Sequence, residues 1–399
     1  MMRELGRGFL KLVMVFGLWG VAVWPATGWY SYKLIHKELT GMQGLHVNSQ
    51  ALIGRDFINI WHGGQEALHH GAAGVYDRDI YRKTLFEKAG FAGLYAYSYP
   101  PHMLLLSLPF GMTGYLVALA AWLILTFGLF CHAARPWLRD LGLPGWAGLI
   151  LPATIVNIWA GHFGFLIGAL ALYGWRRAEN NPMRSGLAFA VMTVKPHMGI
   201  LVPLVLAMKR QWKTAYWAAA GTGALVALSI LVFGSWSWTT WLSSTLSFQA
   251  GLIEIVPTQP YSYMMPTSGR MLYALTRDPG LVMIGQIVIG FYAVATLIWA
   301  HKRSVPIRDL GLLSIVAIPL ILPYSFNYDM VALCVVALVC AARFGVKWYS
   351  PDRAVYAAAF MIPLILVPLA RLNLWPSPII LMLFLGCAAW RMVPGRNSI

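Results

Sequence analysis

Residues 115–134 read YLVALAAWLILTFGLFCHAA, a run without Asp, Glu, Lys or Arg that stops against Arg135 and Arg139. A helix rises 1.5 Å per residue, so about 20 such residues cover the roughly 30 Å of a bilayer core. The stretch reads as a transmembrane helix with a basic anchor at its end. Similar apolar runs occupy 9–30, 144–160, 163–176, 185–194, 196–208, 214–234, 281–300, 309–323, 328–343, 354–371 and 377–392. Composition agrees: 59% of the 399 residues are hydrophobic and only 11% are charged, against about 25% charged in soluble domains. A soluble globular enzyme, a disordered chain, a collagenous repeat and a disulfide scaffold are excluded. The chain is expected to be an all-α polytopic membrane protein forming one domain over 1–399.

The charge balance is +16, with 30 Lys and Arg against 14 Asp and Glu. There is no basic stripe and no nucleic-acid motif. The basic residues instead cluster between apolar runs at 135–140, 176–184, 209–213, 301–308 and 343–353, as cytoplasmic loops do. Arg3, Arg7 and Lys11 precede the first run; a signal peptide would look similar. The run is long enough to span, so an uncleaved first helix with its N-terminus inside is expected. Cys131, Cys334, Cys340 and Cys387 lie in or beside apolar runs without metal-type spacing, which suggests core packing.

Parity then sets topology. The hydrophilic segment 31–98 falls outside. All basic clusters fall inside only if 99–112 does not cross. That run is short, opens with Tyr99-Pro100-Pro101 and carries Pro109, so it is expected to be a re-entrant or interfacial helix. The remainder gives about 12 transmembrane helices, both termini inside, and a second outer loop at 235–280. Inside segments then hold 19 Lys and Arg with 5 Asp and Glu, while the outside holds 11 and 9. The basic excess orients the chain; it also suits anionic lipid headgroups.

Within 31–98, Phe57, Ile60, Trp61, Ala67 and Leu68 recur at helical spacing, predicting an interfacial helix broken by Gly71-Ala72-Ala73-Gly74. Asp77 can cap a second helix with an Asp79–Lys83 pair, ended by Gly90. Glu38, Glu66 and Glu87 read as solvated. Tyr95, Tyr97 and Tyr99 suit a membrane interface and equally suit sugar binding. Asp56, beside Arg55, is either a helix cap or a reactive carboxylate. Lys195, in Met192-Thr193-Val194-Lys195-Pro196-His197, is flanked by apolar residues. A charge there either snorkels or serves function, and a lysine suits a phosphate. Asn157 and His162 share one outer turn, and Asn327, Tyr328 and Asp329 another; each also has a structural reading.

The order of these features resembles glycosyltransferase family 87, the polyprenol-phosphate-sugar-dependent transferases that include a phosphatidylinositol mannoside mannosyltransferase. The segments that carry the likeness are Asp56-Phe57 through Trp61, Gly74-Val75-Tyr76-Asp77, and Tyr97-Ser98-Tyr99-Pro100-Pro101. Asn157-x-x-x-Gly161-His162 follows, then Gly186-Leu187 leading to Lys195-Pro196, and Lys209-Arg210-Gln211-Trp212-Lys213. His162 stands where members often have Gln, and the Asn327-Tyr328-Asp329 segment varies among them. The resemblance implies a GT-C-type helical bundle in the inner membrane of a bacterium, with its catalytic Asp in the first outer loop.

It further implies a membrane glycosyltransferase (a hexosyltransferase) moving a mannose-like sugar from a polyprenyl-phosphate donor to a lipid or glycan acceptor, as in cell-envelope glycolipid synthesis. Asp56 would be the general base, Lys195 and His197 the donor-phosphate ligands. Arg55, Trp61, Tyr97, Tyr99, Asn157, His162, Asn327, Tyr328 and Asp329 would be substrate-binding candidates. No cofactor or metal is expected; Asp77-x-Asp79 matches a metal pair in letters only. A transporter or flippase of lipid-linked sugars is the main rival. A membrane acyltransferase lacks a convincing buried His-centred motif.

Overall fold

The computed structural model describes residues 2–47, 51–90, 95–255, 260–345 and 348–395. Residues 48–50 and 91–94 of the first outer loop and 256–259 of the second fall outside this set. The chain opens with α1 (Met2–Met14) and α2 (Gly20–Thr40). The outer loop holds α3 (Phe57–His69), α4 (Gly71–Tyr76) and α5 (Arg78–Ala89), and leads into α6 (Pro101–Gly111). Next come α7 (Tyr115–Arg139), α8 (Pro152–Ala160), α9 (Gly164–Arg177), α10 (Pro182–Met192), α11 (Val202–Met208) and α12 (Trp212–Phe233). The second loop carries α13 (Trp236–Ile255) and α14 (Ser268–Thr276). The chain closes with α15 (Pro279–Lys302), α16 (Ile307–Ile321), α17 (Val331–Phe344), α18 (Pro351–Arg371) and α19 (Ser377–Arg391). Among the described residues there are two isolated β-bridges and no strand.

Among the described residues, five helices are long and apolar enough to cross a membrane: α7, α12, α15, α18 and the continuous Asn327–Phe344 segment that includes α17. A sixth is reached if α1 and α2 count as one bent span. This is fewer than the twelve expected. The difference lies in apolar runs that hydropathy counts as crossings although the helices they form are short. Proline stands in the first turn of α8, α10 and α19, and Gly161 and Lys195-Pro196 mark the boundaries at which the runs 144–160 and 163–176, and 185–194 and 196–208, already divide. The resulting helices α8, α9, α10, α16 and α19 have 9, 14, 11, 15 and 15 residues. At 1.5 Å per residue even 15 residues reach only about 23 Å.

The first run is not one helix either. The Gly6–Met14 and Gly17–Thr40 segments meet at 97°. Gly17 has φ +60, and a Cβ there would run into the Trp348 carbonyl, which instead accepts the Leu18 N–H at 3.0 Å. A side chain at this corner would be doubly opposed, so glycine fixes the turn. The bend lays the basic helix α1 across the direction of α2.

Helix α17 forms the centre, with 83% of its span buried, while the spans of α12 and α15 are 11% buried. Around α17 pack α7, α8, α9, α16 and α18. Leu231 on α12 and Phe291 on α15 are largely exposed, a surface suited to lipid. The run 99–112 contains the eleven-residue α6, too short to cross alone. It lies against α3, with Gly64 and Gly111 letting the two backbones touch.

The outer loop follows the expected order with four changes. The first helix ends at His70, but Gly71-Ala72-Ala73-Gly74 is itself helical, and the break comes from Gly71 at φ +65. Asp77 caps α5 through the N–H groups of Asp79 and Ile80, and Gly90 ends it at φ +69. Asp79 and Lys83 form no ion pair; both are exposed, where such pairs contribute little. Glu38 and Glu66 are buried rather than solvated, because cations reach them from distant segments. Glu38 meets Arg55 at 2.9 Å and Glu66 meets Lys88 at 2.9 Å, while the ring of His70, one turn along from Glu66, adds a hydrogen bond at 2.9 Å.

Candidate active site

Four irregular segments converge at the outer-loop end of the bundle: 54–56, 160–163, 193–197 and 326–330. Gly54 and Arg55 both take positive φ, 79° and 37°, which swings the chain sharply into α3 and leaves Asp56 at its N-cap position. The Asp56 carboxylate does not cap that helix. Its backbone N–H instead donates to the Ala160 carbonyl at 3.0 Å, pinning the turn to the end of α8. Gly161 follows at φ +62, and a Cβ there would collide with the Gly54 carbonyl. Only glycine lets the two turns approach so closely.

The Asp56 side chain is thereby freed to face other groups. Tyr95 donates its hydroxyl to Oδ1 at 3.3 Å, and the Tyr328 hydroxyl also bonds the carboxylate. Burial raises the Asp56 carboxyl above its ordinary range; the Tyr328 hydroxyl, the Arg55 charge, Tyr95 and Lys195 pull it back in part. A carboxylate so placed is a stronger base than an ordinary aspartate.

His162 stands next to this group. Its Nε2 shares a 2.9 Å hydrogen bond with the Tyr99 hydroxyl, and its ring lies 4.5 Å from Tyr328. Lys195, at the break after α10, is 4% exposed and places Nζ 2.6 Å from Asp329 Oδ1 and 5.5 Å from the Tyr328 ring. Asp329 Oδ2 also accepts the Phe326 N–H at 3.4 Å, so this aspartate is both a cap and an ion-pair partner. His197 sits in the short 3-10 turn after the break, 5.5 Å from Tyr324. Lys195 is thus already paired, and a phosphate could engage it only by sharing it with Asp329.

The remaining candidates divide. Arg55 stacks on Trp159 at 4.0 Å while it pairs with Glu38, which supports the turn from α2. Asn157 is fully buried, and neither side-chain polar atom has a partner. Tyr97 lies one ring behind Tyr99, bonded to Ser107 at 3.1 Å. Trp61 donates to the Thr113 carbonyl at 2.9 Å and packs on Tyr115, its polar atom committed to that carbonyl. Asn327 donates to the Pro363 carbonyl at 2.8 Å, tying the turn to α18.

One member of the site, Glu38, is missing from the sequence-based candidates, and Tyr95 is there only as one of three tyrosines suited to an interface or to sugar. The alternate spacing of Tyr95 with Tyr97 and Tyr99 is the signal that points to it. Glu38 gave no local signal, because its partner lies 17 residues further on, across the end of α2. Buried polar atoms without partners gather on these same turns: Trp159 Nε1, His162 Nδ1, Ser325 Oγ and Asn327 Oδ1, besides both atoms of Asn157. Each costs about 1–3 kcal/mol when left unmet, which suits a site completed by polar substrate or water. Among the described residues no group of three His, Cys, Asp or Glu side chains converges to hold a metal ion.

The profile of glycosyltransferase family 87 matches residues 97–323, more than half of the chain. The chain belongs to glycosyltransferase family 87. It is therefore a membrane glycosyltransferase. The family match takes in the segments bearing Tyr97, Tyr99, Asn157, His162, Lys195 and His197, while Asp56 and Asp329 lie beyond its ends. The geometry joins those two carboxylates to the family region through Ala160 and Lys195. No curated protein and no solved structure matches the chain.

Proposed function

We propose that this family 87 glycosyltransferase moves a hexose, mannose-like, from a polyprenyl-phosphate donor to a hydroxyl of a lipid or glycan acceptor, with Asp56 as general base. The observation that carries the reading is the Asp56 carboxylate itself. It is released from capping, made more basic by burial, held by two tyrosine hydroxyls and set beside a buried cation.

In the proposed step Asp56 takes the proton of the acceptor hydroxyl as its oxygen attacks the anomeric carbon. The bond from that carbon to the donor phosphate breaks, and the phosphate leaves with the electron pair. Attack opposite the leaving group inverts the anomeric centre. Positive charge on the sugar ring in an oxocarbenium-like transition state is stabilised by the nearby carboxylates. Lys195 and His197 receive the phosphate, with Lys195 passing between Asp329 and the leaving group. Tyr99, His162 and Asn157 offer hydrogen bonds to sugar hydroxyls.

The same reading places the site on the extracytoplasmic face of a bacterial inner membrane with both termini inside. The short helices supplement the long ones toward about twelve crossings, shielded by neighbours where they fall short of the bilayer. The test is reconstitution of the wild-type protein in proteoliposomes with radiolabelled polyprenyl-phosphate sugars, nucleotide sugars and a panel of lipid acceptors. Transfer from the polyprenyl-phosphate sugar with inverted configuration supports the reading. Transfer only from a nucleotide sugar, or translocation of the lipid-linked sugar without transfer, overturns it.

A further inference from the structure

At the end of α7 remote from Asp56 lies a cleft of about 1090 Å³ between α1, the last turns of α7 and residues 142–149. Tyr115, at the start of α7, bonds the Ile53 carbonyl near the candidate site. The 25 residues of α7 then cover about 37 Å. The cleft therefore belongs to the opposite face and is separate from the glycosyl-transfer chemistry.

Arg7 and Lys11, one turn apart on α1, face Arg135 and Arg139 from α7 across this cleft, with His132 beside them and no acidic residue in the lining. None of these four cations makes an ion pair among the described residues. The neighbouring Asp140 is committed elsewhere, to Arg176 at 2.7 Å and Arg308 at 3.7 Å. Other arginines on this side are also compensated, Arg343 by Asp309 and Arg391 by Asp352, each at 2.6 Å. Orientation by positive charge explains why cations are here, but not why this group is gathered round a cavity whose described lining holds no counter-charge.

The rim is apolar. Phe9 stacks on Trp146 with ring centroids 6.3 Å apart, and Phe9 and Leu149 are 55% and 53% exposed. A free anion would use only the cations; a ligand with a charged head and an apolar tail would use both. The 97° corner before α2 turns α1 away from the α2 axis, the arrangement of an interfacial amphipathic helix with basic residues toward headgroups.

We propose that this cleft binds the headgroup of an anionic phospholipid. Arg7, Lys11, Arg135 and Arg139 surround its phosphate, and Phe9, Trp146 and Leu149 lie along the first carbons of its chains. Basic pockets at this depth are suited to anionic headgroups.

Native mass spectrometry of the full-length protein, titrated with phosphatidylglycerol, phosphatidylcholine or inorganic phosphate, tests this. The expected result is at least tenfold tighter retention of phosphatidylglycerol than of phosphatidylcholine. That preference is lost in Lys11→Gln/Arg135→Gln and kept in Lys213→Gln/Lys302→Gln, which removes the same charge from exposed positions elsewhere. Equal retention of the two lipids, or full displacement by inorganic phosphate at equal concentration, overturns the proposal. Photoactivatable phosphatidylglycerol on the wild-type protein keeps the test open should the first variant not fold. Cross-links within 7–14 and 131–149 support the site, and cross-links confined to other segments contradict it.

Discussion

Lys195 Nζ lies 2.6 Å from Asp329 Oδ1, and both side chains are almost fully buried. The pair joins the broken span after α10 to the turn that opens α17, across 134 positions of sequence. Breaking a buried pair by removing one partner costs about 3–5 kcal/mol, whereas apolar replacement of both can be neutral. Asp329→Ala and Lys195→Ala should each lower the thermal midpoint in detergent, while Lys195→Met/Asp329→Leu recovers most of the loss without recovering transfer. Singles as stable as wild type would show that the pair does not hold these segments.

Gly161 should be equally selective. Alanine there meets the Gly54 carbonyl in a left-handed turn, with backbone strain of about 1–3 kcal/mol. The expected outcome for Gly161→Ala is a folded protein with transfer reduced at least tenfold, because Asp56 is displaced with the Gly54 turn. Unchanged kcat at unchanged stability would mean that the contact between the turns does not position the carboxylate.

The outer loop carries its own acid sensitivity. Burial pushes Glu66 up, but Lys88, His62 and His70 outweigh this and hold it below the ordinary glutamate range. His62 is pushed down to about 4, chiefly by burial. A depressed carboxyl contributes stability above its unfolded value and loses it as pH falls through the folded one. The α3–α5 region should therefore loosen below pH of about 4.5, the range in which free glutamate titrates. Glu66→Gln should remove the carboxyl's share of that acid transition at a cost of about 1–3 kcal/mol, leaving the share of His62, whose depressed ring also loses stability as pH falls. Hydrogen exchange of 57–89 at pH 7 and pH 4 reads it out, and identical exchange in both proteins at both values would count against it.

Asp56 has the opposite sign. A carboxyl raised by burial contributes stability below its unfolded value and loses it as pH rises through the folded one. Asp56→Asn, which keeps an acceptor for both tyrosines, should melt no lower than wild type at pH 7 and gain nothing at acid pH. For transfer, the ionised base is required. The acid limb of kcat/KM should therefore have its midpoint above the ordinary aspartate value of about 3.9. A midpoint at or below that value would separate the limb from Asp56.

Much of the site was legible because its residues are scarce types in apolar surroundings. Lys195 is a lone charge between apolar residues, and Asp56 is one of few acids outside. The tyrosine spacing and the His162 turn were visible for the same reason. What could not be read was pairing at a distance. Nothing local joins Lys195 to Asp329 or Arg55 to Glu38, and Trp61 looks as much a binding residue as Tyr99 until the packing of α3 on α6 turns it toward Thr113. The helical bundle followed from hydropathy, but helix lengths did not. Gly17 cuts the first apolar run without lowering its hydropathy much, and the runs that divide at Gly161 and Lys195-Pro196 count as crossings by hydropathy although each is short. The bend before α2 needs Gly17 to meet the carbonyl of Trp348, a contact spanning most of the chain.

The most direct measurement of the central claim compares sugar transfer by wild type and Asp56→Asn in the same proteoliposomes, with polyprenyl-phosphate hexose as donor and with donor binding measured in parallel. Loss of the base should reduce kcat by about 10²–10⁴-fold while donor affinity changes less than threefold and the protein remains folded. Transfer by Asp56→Asn within threefold of wild type would contradict the assignment of Asp56 as the general base.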